Sequence, residues 1–188
     1  MMLKPVFLLM FLFLVSGLAC VDMKSKQEKP LVTVDKVELP LFLGRWYEIA
    51  RYPNRFQKGC SGSRATYTMR KDDKISVLNE CYEQKSGKLR QAKGKAWVVD
   101  KTTNAKLKVS FFWPFSGDYW IIDLGEDYEY AVVGHPKRKY LWILSRTKEM
   151  DSTLLHTILS MIEEQGYDPS LLIWSEHHKQ SIDSGGYS

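Results

Sequence analysis

Residues 43–60 read LGRWYEIARYPNRFQKGC. Gly44 precedes two large aromatics, Trp46 and Tyr47, and apolar and polar side chains then alternate as far as Arg51 before Pro53 breaks the run into a polar loop. Successive side chains of a strand point to opposite faces, so Trp46, Glu48 and Ala50 are expected on one face and Tyr47, Ile49 and Arg51 on the other. Gly44 permits a tight approach of the chain into that strand. An inward-facing Trp46 would then fill the end of whatever enclosure the strand helps to build.

Seven further runs of similar length follow: RATYTMR (64–70), KISVLNECYE (74–83), LRQAKGKAWVV (89–99), KLKVSFF (106–112), DYWIIDL (118–124), YEYAVVG (128–134) and KYLWILS (139–145). The segments between them, KDD, KSGK, KTTNA, WPFSG, GED and HPKRK, hold the Gly, Pro, Asn and Asp that tight connections need. Eight such runs predict an all-β chain, an eight-stranded antiparallel up-and-down β-barrel. Closure removes the exposed edges and leaves an interior wide enough for one small ligand. The period changes after Met150. In DSTLLHTILSMIEEQGY, Asp151 or Ser152 can cap a helix, Leu154, Leu155, Ile158, Leu159 and Ile162 recur at helical spacing, and Gly166 closes the run. One C-terminal helix packed on the outside of the barrel is expected, and LLIWSE (171–176) offers a further short strand.

The 188 residues, 44% of them hydrophobic, suit one domain with a substantial core. The formal charge of +5 comes from basic residues scattered among acidic ones, with no nucleic-acid motif, so no nucleic-acid partner is expected. His135, His156, His177 and His178 are dispersed, without the spacing of metal ligands, so no metal and no cofactor is expected.

The N-terminus carries Lys4, the apolar run PVFLLMFLFLV (5–15) and small residues ahead of Cys20, which together read as an export signal too short to span a bilayer. Ala19 before Cys20 resembles a bacterial lipoprotein signal, in which the cysteine is acylated; Gly17 and Leu18 depart from the usual pattern. Acylation of Cys20 and simple cleavage to a soluble secreted protein are the two readings. By resemblance to Gram-negative lipoproteins, Val21 in place of an aspartate directs the chain to the outer membrane. DMKSKQEKP (22–30) has nothing to bury and reads as a tether.

These residues together resemble the lipocalins, most closely the bacterial lipocalins and their apolipoprotein D-type relatives, from about Val34 to Glu176. Gly44, Trp46 and Tyr47 match the first motif of that family, Gly-x-Trp-Tyr. Asp127, Tyr130 and Ala131 match the second, and Arg146, after the eighth strand, matches the third. The chain accordingly divides into a lipoprotein signal peptide (1–19), an acylated tether (20–31), a lipocalin domain (32–176) and a flexible tail (177–188). The resemblance implies a binding, storage or transport protein for a fatty acid, such as palmitate, or a lysophospholipid, held at the membrane by a lipid anchor; a homodimer is compatible with it. Some relatives are enzymes, one using a barrel cysteine, but no catalytic residue is expected here. The alternative is a structural or interaction protein whose barrel is filled by its own side chains.

Gly44, Trp46, Tyr47 and Arg146 are expected to close the barrel floor, with the Arg146 guanidinium stacked over an indole. The cavity would be lined by Ala65, Tyr67 and Met69 of the second strand, Val77 and Asn79 of the third, Val109 and Phe111 of the fifth, Tyr119 of the sixth and Trp142 of the eighth, with Tyr67 opposite Val77. In a meander the loop after the first strand shares its end with KSGK, WPFSG and HPKRK. That open end would carry Arg55, Lys58, Lys85, Lys88, Lys137, Arg138 and Lys139 beside Phe56, Trp113, Pro114 and Phe115. An exported chain permits a disulfide between Cys60 and Cys81; two free thiols are the alternative. The register sets Cys81 opposite Ser63, so a bridge requires the chain before the second strand to fold back. Cysteines at both places are similar to those of bacterial lipocalins, which favours the bridge.

Overall fold

The computed structural model describes residues 29–176. The strands are β1 (Gly44–Arg51), β2 (Cys60–Met69), β3 (Ile75–Glu83), β4 (Leu89–Val98), β5 (Lys106–Phe112), β6 (Phe115–Leu124), β7 (Tyr130–Gly134) and β8 (Leu141–Ser145). Each pairs antiparallel with its successor, and β1 closes the barrel by pairing with both β2 and β8. Tyr67 lies opposite Val77, the register expected from matching the apolar faces of β2 and β3. A ninth strand, β9 (Ile173–Trp174), comes from the last apolar run. It pairs with Ala50 and Arg51, along the part of β1 beyond its pairing with β2, which covers Gly44–Tyr47.

Alternation along the strands builds two cores. The inner one fills the lower barrel with Trp46, Tyr67, Ile75, Val77, Leu107, Ile121, Val133 and Leu144. The outer one lies between the barrel wall and α2 (Ser152–Glu164), where Leu155, Ile158 and Ile162 are buried and Ile49, Val132, Leu141 and Ile143 complete the cluster. The Asp151 carboxylate caps α2, accepting from the Thr153 and Leu154 amides, and Gly166, at φ +86°, ends it in a backbone region that favours glycine. A single turn, α1 (Leu39–Phe42), lies across the end of the barrel where β1 begins.

Three local departures correct the regular reading. β1 has a bulge between Glu48 and Ala50, and the extra residue shifts the side-chain phase. Ala50 therefore joins Ile49 in the outer core, and Arg51 comes alongside Glu48 instead of sharing the face of Ile49. β2 begins at Cys60 and bulges between Ser61 and Arg64, which carries Cys60 back to face Glu83; this bulge supplies the fold-back that the Cys60–Cys81 bridge requires. Leu31 is buried in the outer core, so the packed chain starts one residue ahead of Val32. The signal peptide, Cys20, the tether up to residue 28 and the tail from residue 177 lie outside the described residues.

Candidate functional site

The closed end is built from the residues of the opening stretch. Trp46 is fully buried; its indole N–H donates to the Phe42 carbonyl at 2.8 Å, and the two rings lie 5.2 Å apart. The Arg146 guanidinium carbon lies 3.7 Å from the centre of the Trp46 ring. The same group donates to the carbonyls of Tyr128 (3.1 Å), Arg45 (2.9 Å) and Leu41 (2.6 Å). One planar fork therefore ties the β6–β7 turn, the start of β1 and α1 into a floor, which a flexible ammonium could not do. Gly44 lies at φ +94°, and a Cβ there would meet Arg146 at 3.4 Å. Tyr47 is half-buried beside this floor, one residue along from Trp46.

Above the floor a cavity of about 970 Å³ opens toward the opposite end, near the upper part of the range typical of small-molecule sites. Ala65, Tyr67, Val77, Asn79, Val109, Phe111, Tyr119 and Trp142 all line it. Met69 does not: β2 runs two residues past its pairing of Tyr67 with Gly44, so β1 does not flank Met69, which is 39% exposed. The sequence reading missed the inner face of β4. There Ala92, Gly94 and Ala96 lie opposite Asn79, Val77 and Ile75. Ala92 and Ala96 keep the cavity wall low, while Gly94 makes room for Phe111, whose ring lies 2.8 Å from where a Cβ would stand. Three small residues at a spacing of two were visible in LRQAKGKAWVV as the signal of a roomy wall.

The polar groups of the wall gather toward the mouth, and many of them are paired. Near the mouth, the Gln57 side chain accepts from the Trp142 indole and from the Asn54 amide, both at 2.9 Å, and donates to Glu48. Glu48 also holds Arg51 at 3.0 Å, with both side chains almost wholly buried. Burial pushes the Glu48 carboxyl above the usual range, against the opposing pull of Arg51 and Gln57. This cluster pins the loop after β1 to β8. Deeper down, the Tyr67 and Tyr119 hydroxyls lie 2.9 Å apart. Burial pushes the Tyr67 phenol up to about 12 and raises Tyr119 well above its ordinary range, so both remain neutral.

The mouth combines exposed aromatics with cations. Phe56, Phe112, Trp113 and Phe115 are each more than 60% exposed. Arg55 lies over the Phe56 ring at 5.1 Å, and Lys95 over Trp113 at 5.3 Å. Lys137 and Lys139 border the opening. Arg138 does not belong to this rim: its guanidinium turns onto the carbonyls of Gln165, Pro136 and Lys29, clamping the β7–β8 turn to the end of α2.

Cys60 and Cys81 form a disulfide that closes a 21-residue separation and ties the root of the first loop to β3. Replacing both cysteines with serine is expected to lower stability by about 3 kcal/mol, the scale for a loop of this length. Urea unfolding measures the loss, and alkylation detected by mass should reach these two thiols only after reduction.

The sequence comparisons agree with this architecture. The profile described as a lipocalin-like domain matches residues 37–177. The outer membrane lipoprotein Blc of Vibrio cholerae is 40% identical over 172 residues, covering 91% of this chain and 97% of that protein. Temperature-induced lipocalin-1 of Arabidopsis thaliana is 41% identical over 155 residues, covering 78% and 82% respectively. Among solved structures, insecticyanin of the tobacco hornworm Manduca sexta superimposes with a TM-score of 0.63 at 22% identity, covering 78% of this chain and 84% of that one, a likeness of fold alone. A profile match spanning the whole barrel, and 40% identity along almost the full length of a bacterial relative, make this chain a member of the lipocalin family.

Proposed function

We propose that this protein binds and carries a single-chain lipid, a fatty acid such as palmitate or a lysophospholipid, with the chain in the barrel and the headgroup at the basic mouth. The observation that carries this reading is the 970 Å³ cavity, walled by Ala92, Ala96, Val77, Val109 and Trp142 and open at one end. Its depth and apolar wall suit an acyl chain, each buried methylene contributing about 0.8 kcal/mol. A barrel filled by its own side chains would not leave this volume. Native mass spectrometry of the full chain as purified tests the reading: a co-purified species with the mass of a fatty acid or lysophospholipid supports it. Persistent failure to take up acyl chains would sink it.

The N-terminus and the bacterial relative support a site at the outer membrane. A lipid on Cys20 and a tether through residue 31 would hold the domain at the outer membrane, as the name of the Vibrio cholerae protein suggests for that relative. The mouth would then meet lipid directly. Exposed rings beside cations suit an interface where aromatic bodies enter the headgroup layer and ammonium groups face phosphates. Reversing Lys137 and Lys139 to glutamate is expected to weaken binding to anionic vesicles about tenfold or more at low salt, at roughly 1 kcal/mol for each basic residue near the surface. Vesicle sedimentation of the unacylated domain measures it, and equal binding by the variant would remove the mouth from the interface.

A further inference from the structure

The Tyr67–Tyr119 pair spans the barrel. β2 and β6 are four strands apart in either direction around the closed sheet, so this hydrogen bond joins opposite walls. Tyr67 lies opposite Gly44, the first residue of β1, and its ring stacks on Phe42 of the floor at 5.6 Å. The bridge is therefore the polar point of the cavity nearest the floor. Two hydroxyls bring two protons, and their mutual bond uses one of them. Among the described residues neither hydroxyl makes another hydrogen bond, so one O–H and its lone pairs remain available at the bottom of the cavity.

Resting on the carrier reading, we propose that this bridge recognises an oxygen atom near the buried end of the ligand, so that the preferred ligand is an acyl chain hydroxylated at or close to its far end, with its carboxylate at the mouth. A carboxylate is the wrong group for the bottom of the well. A buried anion needs a counter-charge, and two neutral phenols supply none. The cations on the cavity wall are either at the mouth, as Lys137 and Lys139 are, or already engaged. Arg64 is held by Glu80 at 2.8 Å, and Arg90 by the Phe56 carbonyl at 2.9 Å and Cys60. A neutral hydroxyl has no such requirement. It can donate to one tyrosine oxygen and accept the spare proton, replacing the water contacts it loses on entering. A pocket that makes such a bond discriminates strongly against the analogue that leaves a polar group unpaired. The same geometry fixes a length: only chains whose oxygen reaches the bridge while the carboxylate stays at the mouth gain the contact.

The test compares palmitic, myristic and lauric acids with their ω-hydroxy derivatives, binding each to the delipidated full chain by isothermal titration calorimetry. The wild-type protein is expected to bind the hydroxy acid more tightly than its parent at one chain length and to favour the parent at the others. Tyr119→Phe keeps the ring and its packing, and is expected to shift the ratio at that length at least tenfold toward the parent. Tyr67→Phe should shift the ratio in the same direction. Rejection of the hydroxy acid at every length overturns the proposal, as does an unchanged ratio in both variants. A larger loss of affinity for the parent acid than for its hydroxy derivative in Tyr119→Phe also overturns it, because the carboxylate would then be the group at the bridge. Failure of every acid to bind would bring down the carrier reading itself.

Discussion

Trp46→Ala is expected to destabilise the protein by about 3–5 kcal/mol, the range for removing a large aromatic from a packed core. Three interactions disappear together at this site. The indole leaves a cavity under Tyr67 and Phe42, the Phe42 carbonyl loses its donor at 2.8 Å, and the Arg146 guanidinium loses the ring on which it rests at 3.7 Å. The last loss compounds the others, because Arg146 holds three carbonyls from separate segments only while its plane is fixed. Since native domains are stable by only about 5–15 kcal/mol, the variant should unfold well below the wild-type urea midpoint. Equilibrium urea unfolding followed by tryptophan fluorescence gives the value. A loss under about 1 kcal/mol would show that the floor is dispensable. Acyl binding at low temperature, where the variant remains folded, should change much less than stability, because the ring lies beneath the cavity.

The second large effect concerns binding without stability. Ala92→Trp places an indole on the cavity wall toward the mouth, from the β4 residue opposite Asn79. Displacing about four methylenes of a bound chain removes about 3 kcal/mol, which corresponds to a loss of palmitate affinity of more than 100-fold. The cavity has room for the ring, so the melting temperature should hold or rise. Lys93→Trp, on the opposite face of the same strand, serves as the control and should bind palmitate normally. Unchanged affinity in Ala92→Trp would mean that the chain is held somewhere other than the barrel.

Eight strands, the capped helix and the extra C-terminal strand were legible because each depends on a local period: two residues for strands, between three and four for the helix. Most of the wall was legible for the same reason, since knowing that Trp46 faces inward sets the phase of its neighbours. The failures have a common cause. Arg51 was given to the wrong face because a bulge between Glu48 and Ala50 resets the alternation, and no change in hydropathy marks where the extra residue falls. Met69 kept its phase but lost its enclosure, because strand ends are staggered and β2 overruns β1. Arg138 was counted with the rim cations on position alone; in a turn with φ of 50° at that residue, its side chain meets the carbonyls of Gln165 at the end of α2, Pro136 and Lys29 instead.

Residue chemistry and its period, then, determined the barrel, its floor and the outer helix, and three ordered motifs carried the resemblance to the family. What only the tertiary structure decided were the contacts between distant parts of the chain. Gln57 meets Trp142 across 85 residues, and Tyr67 meets Tyr119 across 52. Both depend on how the strands are staggered and how the sheet curls to bring opposite walls within hydrogen-bond reach. A local pattern says which way a side chain points, whereas closure of the barrel decides what it meets there.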